Sequence, residues 1–136
     1  MSTLQDAVEA LQTVLGTVSG IRSAPLYVPD SIGDYPIAIS APNAGEVVFE
    51  AERGRLALHE IVTWVLVAQV GTEYSLEAVI PFADRIPAAV GADITLGGVV
   101  STIGGVSYTF GEVQVGQVKY IGFTFRWRGV KIRNAS

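Results

Sequence analysis

Apolar residues at Leu4, Val8, Leu11, Leu15 and Val18 recur at the helical interval, so residues 3–18 are expected to form an amphipathic helix. Ser2 with Gln5 three positions on has the form of a capping box, and Gly20 supplies a stop. The period is lost in residues 21–45. Pro25, Pro29, Pro36 and Pro42 predict an extended, irregular path with a short strand at Ile37–Ser40. Residues 46–52 and 56–70 then read as two strands around Arg53-Gly54-Arg55, a hairpin with glycine in its loop. Its second arm is about twice the usual strand length and is expected to project as a finger.

A second helix is expected over 73–91, with an apolar stripe of Leu76, Val79, Ile80, Ala83 and Ile86. Pro81 lies inside it, so the helix either begins near Ile80 or kinks at that proline. Pro87 is a second source of irregularity. Residues 105–115 and 117–128 follow as an antiparallel pair turning near Gly116. In the last strand Ile121, Phe123, Phe125 and Trp127 share one face, and Tyr120, Thr124, Arg126 and Arg128 share the other. That period of two marks a sheet with one face on the core. The parity switches after Gly129, which predicts a bulge there. The order of elements gives one α+β domain over 1–136: a mostly antiparallel β-sheet with two helices packed on one face and a long β-hairpin.

Composition narrows the chemistry. Charged residues are 16% of the chain, against roughly 25% in an average domain, which suits a subunit with much covered surface. No apolar run reaches the roughly 18 residues of a membrane span, and the first residues lack the pattern of a secretory signal, so no membrane partner is expected. There is no cysteine and a single histidine, His59, which excludes thiolate and multi-histidine metal sites within one copy. Residues 1–112 hold all 13 acids and four bases, a net −9; residues 113–136 hold five bases and no acid, +5. An acidic body could meet a basic C-terminal strand on another copy.

The stretch TLGGVVSTIGGV (95–106) raises the question of a phosphate-binding loop. A P-loop needs Lys-Ser/Thr after the glycines, and a dinucleotide fingerprint needs the glycines between a strand and a helix. Neither holds, and glycines that let the chain leave a helix and turn fit better. A nucleophilic site would have to use a hydroxyl with His59, whose neighbour Glu60 points to the opposite strand face. Glu50 and Glu52 share a strand face, as carboxylates of a solvated hairpin do. No catalytic, cofactor-binding or metal-binding residues are expected, and no enzyme activity.

The segment ADITLGGVV, a short link, and then VSYTFGEVQVGQVKYIGFTFRWRGV resembles small tail proteins of long-tailed bacteriophages. In that pattern an Asp-x-Thr-Leu-Gly-Gly turn leaves the second helix and two strands follow. It falls on Asp93, Thr95, Leu96, Gly97 and Gly98, then on the strand with Tyr120, Gly122 and Phe123. GIRSAPLYVPDSIGDYPIAI fits the Pro-rich path into the first strand. The family it is most similar to is the tail terminator, or tail-completion, proteins. Ile94 stands where proline is frequent in them.

The resemblance implies a virion protein of the tail and neck, assembled in the host cytoplasm, whose six copies form a ring. Such a ring caps the tail tube, stops its polymerisation and offers a surface to the head–neck connector, while DNA passes through the channel. The candidate subunit or tube interface is Arg53 and Arg55 at the hairpin tip with Glu50 and Glu52 beside them, and Arg126 and Arg128 on the last strand. The alternatives are a head–tail connector or a tube protein, and, more distantly, a small hydrolase using His59.

Overall fold

Helix α1, Leu4–Leu15, opens the computed structural model, which describes residues 3–26, 29, 32–50 and 54–132, with backbone alone at 48–50 and 54–57. Its cap is Thr3. The Thr3 hydroxyl accepts from the Asp6 amide at 3.1 Å, and the Thr3 amide donates to the Asp6 carboxylate at 3.0 Å. The capping box therefore sits one residue later than Ser2–Gln5, because aspartate reaches back to the cap amide as glutamate does. The helix ends at Gly16, short of the expected Val18, yet Val18 stays in the core through the turns that follow.

Strand β1 is Ile37–Glu50, one strand of 14 residues where a short strand and a separate hairpin arm were expected. Pro42 does not break it, because β1 pairs only with β2 there and a proline on an edge leaves no ladder bond unmade. Asn43 is the extra residue of a bulge, between Pro42 opposite Ile61 and Ala44 opposite Glu60. Strand β2, Gly54–Gln69, runs antiparallel to β1 and then to the last strand.

The second helix is divided. Helix α2 is the single turn Leu76–Val79 and helix α3 is Phe82–Ala92, with the break at Ile80–Pro81. The break rotates the apolar stripe. Val79, Phe82, Ile86 and Val90 are buried, whereas Leu76 and Ile80 are 56% and 57% exposed. Three short or long strands follow: β3, Val100–Thr102; β4, Gly105–Val115; and β5, Val118–Ile132. The sequence did not signal β3.

The sheet order is β1-β2-β5, with β3 and β4 one after the other along the far edge of β5, and every named pairing is antiparallel. The bulge expected at Gly129 is present. His59 faces Val130 and Ile61 faces Trp127, so β5 has one residue more than β2 across that interval, and Gly129 takes φ +63°. The extra residue lets Val130 return to the core side with Trp127.

One sheet face packs under α1 and α3 around Leu11, Phe82, Ile86, Phe123, Phe125 and Trp127. The other carries a smaller cluster of Ile37, Ile39, Leu66, Val113 and Tyr120. Tyr35 lies against it, and burial first, then Tyr120, raises its phenol above the ordinary value.

A buried polar chain joins the layers. The Gln12 amide donates to the carbonyls of Pro25 (2.6 Å) and Ala38 (2.8 Å), and its oxygen accepts from Ser40 at 2.7 Å. Ser40 and Thr63 hydroxyls lie 2.7 Å apart, and the Trp127 indole donates to Thr63 at 2.9 Å. Among the described residues no buried side-chain polar atom lacks a partner. A satisfied buried network of this kind fixes one packing of α1 on β1, β2 and β5.

Candidate interaction surfaces

The glycine stretch resolves into turns. Leaving α3, the Gly97 amide donates to the Asp93 carboxylate at 3.1 Å and the Val100 amide to the Thr95 carbonyl at 3.0 Å. Leu96, at φ 50°, is drawn into the core between them. Gly97 and Gly98 take φ of 72° and 93°, the region glycine occupies without strain. Gly104 serves another need: its amide donates to Arg128 O at 2.8 Å, and a Cβ there would sit 3.2 Å from that oxygen. These amides are spent on the chain itself, so the stretch is punctuation.

The expected interface residues fall into two separate groups. Arg126 and Arg128 are exposed on β5, on the face away from the helices, opposite Ser107 and Gly105 of β4. Glu50 ends β1 opposite Gly54, and Arg55 pairs with Phe49; the side chains of both are undescribed, and Glu52 and Arg53 lie outside the described residues. The last pairing of β2 with β5 is Leu58 with Lys131, so the backbone of Val47–Glu50 and Gly54–Ala57 continues as a ribbon of two strands. At about 3.3 Å per residue it reaches roughly 13 Å past that last pairing. The expected finger is therefore present in the backbone, and it holds Glu50 and Arg55 well away from Arg126.

Near the root of the finger, Arg128 lines an open recess of about 400 Å³ with Glu46, Glu60, Leu58 and His59. The Asn43 amide donates to Glu60 at 2.9 Å. The half-buried His59 ring lies over Gly45, where a Cβ would come within 2.7 Å of Nδ1. Glycine at 45 is thus what lets the imidazole lie flat on β1. Among the described residues, no group of three or more His, Asp or Glu side chains is placed to hold a metal.

A second surface was not anticipated. On β4, Val106, Tyr108 and Phe110 face the helix side, opposite Trp127, Phe125 and Phe123. Tyr108 is nonetheless 53% exposed and Phe110 is exposed too, while α3 meets β4 at Gly105 and Val106. The Phe110 ring packs edge-on to Phe123 at 4.8 Å between centroids, and Tyr74 stands 6.2 Å from Phe110. With Leu76 and Ile80 nearby in the chain, the turn into α2 and the β4 edge offer much apolar surface to solvent. The alternation in Val106-Ser-Tyr-Thr-Phe110 assigns these side chains to the helix side, as it would core residues, so it does not mark them as exposed.

No helix among the described residues is long and apolar enough to cross a membrane. No protein-family model matches the chain, and no curated protein sequence is significantly similar to it.

Proposed function

We propose that this chain is a structural subunit of a phage tail that assembles as a ring, ends the growth of the tail tube and presents a joining surface to the neck. The observation that supports it most is the Asp93–Gly98 turn. Its Asp-x-Thr-Leu-Gly-Gly pattern, shared with tail terminators, leaves α3 and leads to the closing strands β4 and β5. The apolar β4 edge and the low charge content suit a subunit that is largely covered by its neighbours.

In this reading the work is steric. One face of the ring matches the last ring of the tube; the other lacks the tube's own polymerisation surface, so growth stops. DNA passes through the channel without specific binding. Among the described residues β4 and the far part of β1 have a sheet edge with no partner strand, which favours a second reading, a tube protein, because a head-to-tail contact that does not close runs on as a filament.

The test is the native mass of the purified protein across concentration, with electron micrographs of the same sample alone and mixed with tail tubes. A closed ring, or a cap on tube ends, is the expected result. Long self-assembled tubes would move the assignment to a tube protein. A monomer that leaves tube ends bare would remove the tail assignment altogether.

A further inference from the structure

Among the described residues both edges of the sheet are open in a matching way. On one side β4 presents the outer edge of Gly105–Val115, having β5 as its only partner strand among the described residues. On the other, Ser23 and Arg22 cover only the start of β1, through bonds at Pro36 and Ala38. Beyond the Asn43 bulge the outer edge of Ala44–Glu50 has no partner strand among the described residues. Open edges with apolar side chains are where sheets accept another strand.

Strand direction decides what fits. β1 is antiparallel to β2, β2 to β5, and β5 to β4. A second copy in the same orientation, placed beside β4, therefore offers its β1 antiparallel to β4, and the alternation continues unbroken.

The faces match as well. Val130 is in the helix-side core and lies opposite His59, which lies opposite Gly45; two residues on, Val47 opposite Ala57 keeps that side. In a continued sheet Val47, 44% exposed, would stand on the same face as Tyr108 and Phe110. Glu46, on the opposite face, would stand with Arg126 and Arg128. One strand of small residues, Gly105, Ser107 and Thr109, would separate them by about 10 Å, within reach of glutamate and arginine side chains.

We propose that the β1 edge at Ala44–Glu50 docks on the β4 edge of a second copy, antiparallel, so that one sheet runs from subunit to subunit. Apolar meets apolar on the helix side, and acid meets base on the other. A two-fold β4–β4 joint would also pair the aromatic residues, but it would bring Arg126 toward its own copy. The two-stranded ribbon beyond Leu58 gains a third strand from this joint, which an isolated hairpin needs to be stable in water. The contact is heterologous, so it closes into a ring when its rotation allows. It rests on the self-assembling part of the function proposed above and is independent of the tail.

The chain has no cysteine, so introduced thiols report cleanly. Val47→Cys and Tyr108→Cys proteins, both changed at exposed positions and each checked for wild-type circular dichroism, are mixed and treated with a short bismaleimide. Its span tolerates a register offset of a residue or two. The expected result is several-fold more cross-linked dimer in the mixture than in either protein alone. Glu46→Arg or Arg126→Glu, added to the corresponding partner, lowers the yield, and the two together restore it. Cross-linking of Tyr108→Cys alone as efficient as the mixture would overturn the proposal in favour of a two-fold joint. No excess in the mixture would overturn it outright. A ring by native mass without the cross-link removes this joint and keeps the ring; the cross-link without capping of tubes keeps the joint and removes the tail assignment.

Discussion

The strands β1 and β2 live in two environments. Near α1 they lie in the middle of the fold, with Ala38, Ile61 and Val65 under the helices and Ser40 and Thr63 inside the polar chain. Past Leu58 the same strands carry on with each other as the sole partner strands among the described residues. The sequence there carries the charges of Glu50, Glu52, Arg53 and Arg55 but keeps apolar residues too, Val47, Val48 and Phe49 on one strand and Leu56 and Leu58 on the return. What differs is the third strand. β5 and two helices convert apolar side chains into a core at one end, and among the described residues no further strand or helix does so at the other. Stability belongs to the body, and the proposed association to the rim.

One substitution made in both regions gives the largest contrast. Val65→Asp places a carboxylate at a position with no solvent exposure and is expected to remove at least about 4 kcal/mol, enough to unfold the chain in a denaturant titration. Val47→Asp is expected to stay within about 0.5 kcal/mol of wild type and to show its effect only in native mass. Equal losses at the two sites would mean that the ribbon is part of the cooperative core.

Gly122→Ala comes next. A Cβ there collides with the Val65 carbonyl oxygen across β2 and β5, so the strands must separate locally. The expected loss is about 3 kcal/mol, read from the thermal midpoint. Thr63→Val keeps the shape of the side chain but removes the acceptor of the Trp127 indole N–H, an expected loss of roughly 1–3 kcal/mol by chemical denaturation. Glu112→Gln is the smallest. Its partner Lys119 is 3.4 Å away and both side chains are more than half exposed, so a change below about 0.5 kcal/mol is expected.

The α+β class, the finger and the Gly129 bulge were legible because each follows from a local period or its interruption. Ile121, Phe123, Phe125 and Trp127 declare a face at a period of two, and Val130 declares its displacement by one. The continuation of β1 through Pro42 was not legible, since a proline terminates a central strand and is tolerated on an edge, and which strand is the edge is a property of the whole sheet. The exposure of Leu76 and Ile80 was hidden for a related reason: the stripe was projected along one helix, and Pro81 makes two axes of it. Of the expected interface, the opposite placement of Arg126 and Trp127 was readable from alternation. The apolar β4 edge was not, because Tyr108 and Phe110 have the alternation of core residues, and whether another element covers them is a property of the tertiary fold.

The polar chain from Trp127 to Gln12 has a direction. Two carbonyls can only accept, so the Gln12 amide must turn its nitrogen to Pro25 and Ala38 and its oxygen to Ser40; Ser40 then donates, and Thr63 donates to Ser40. One amide orientation on α1 thus sets two hydroxyl rotors and the acceptor that meets an indole on β5. Lifting α1 would free the whole series and alter the hydrogen bonding around the indole N–H. Trp127 is therefore a built-in optical probe of the first helix, and with Trp64, the only other tryptophan, changed to Phe, its emission would follow the docking of residues 4–15 without any label.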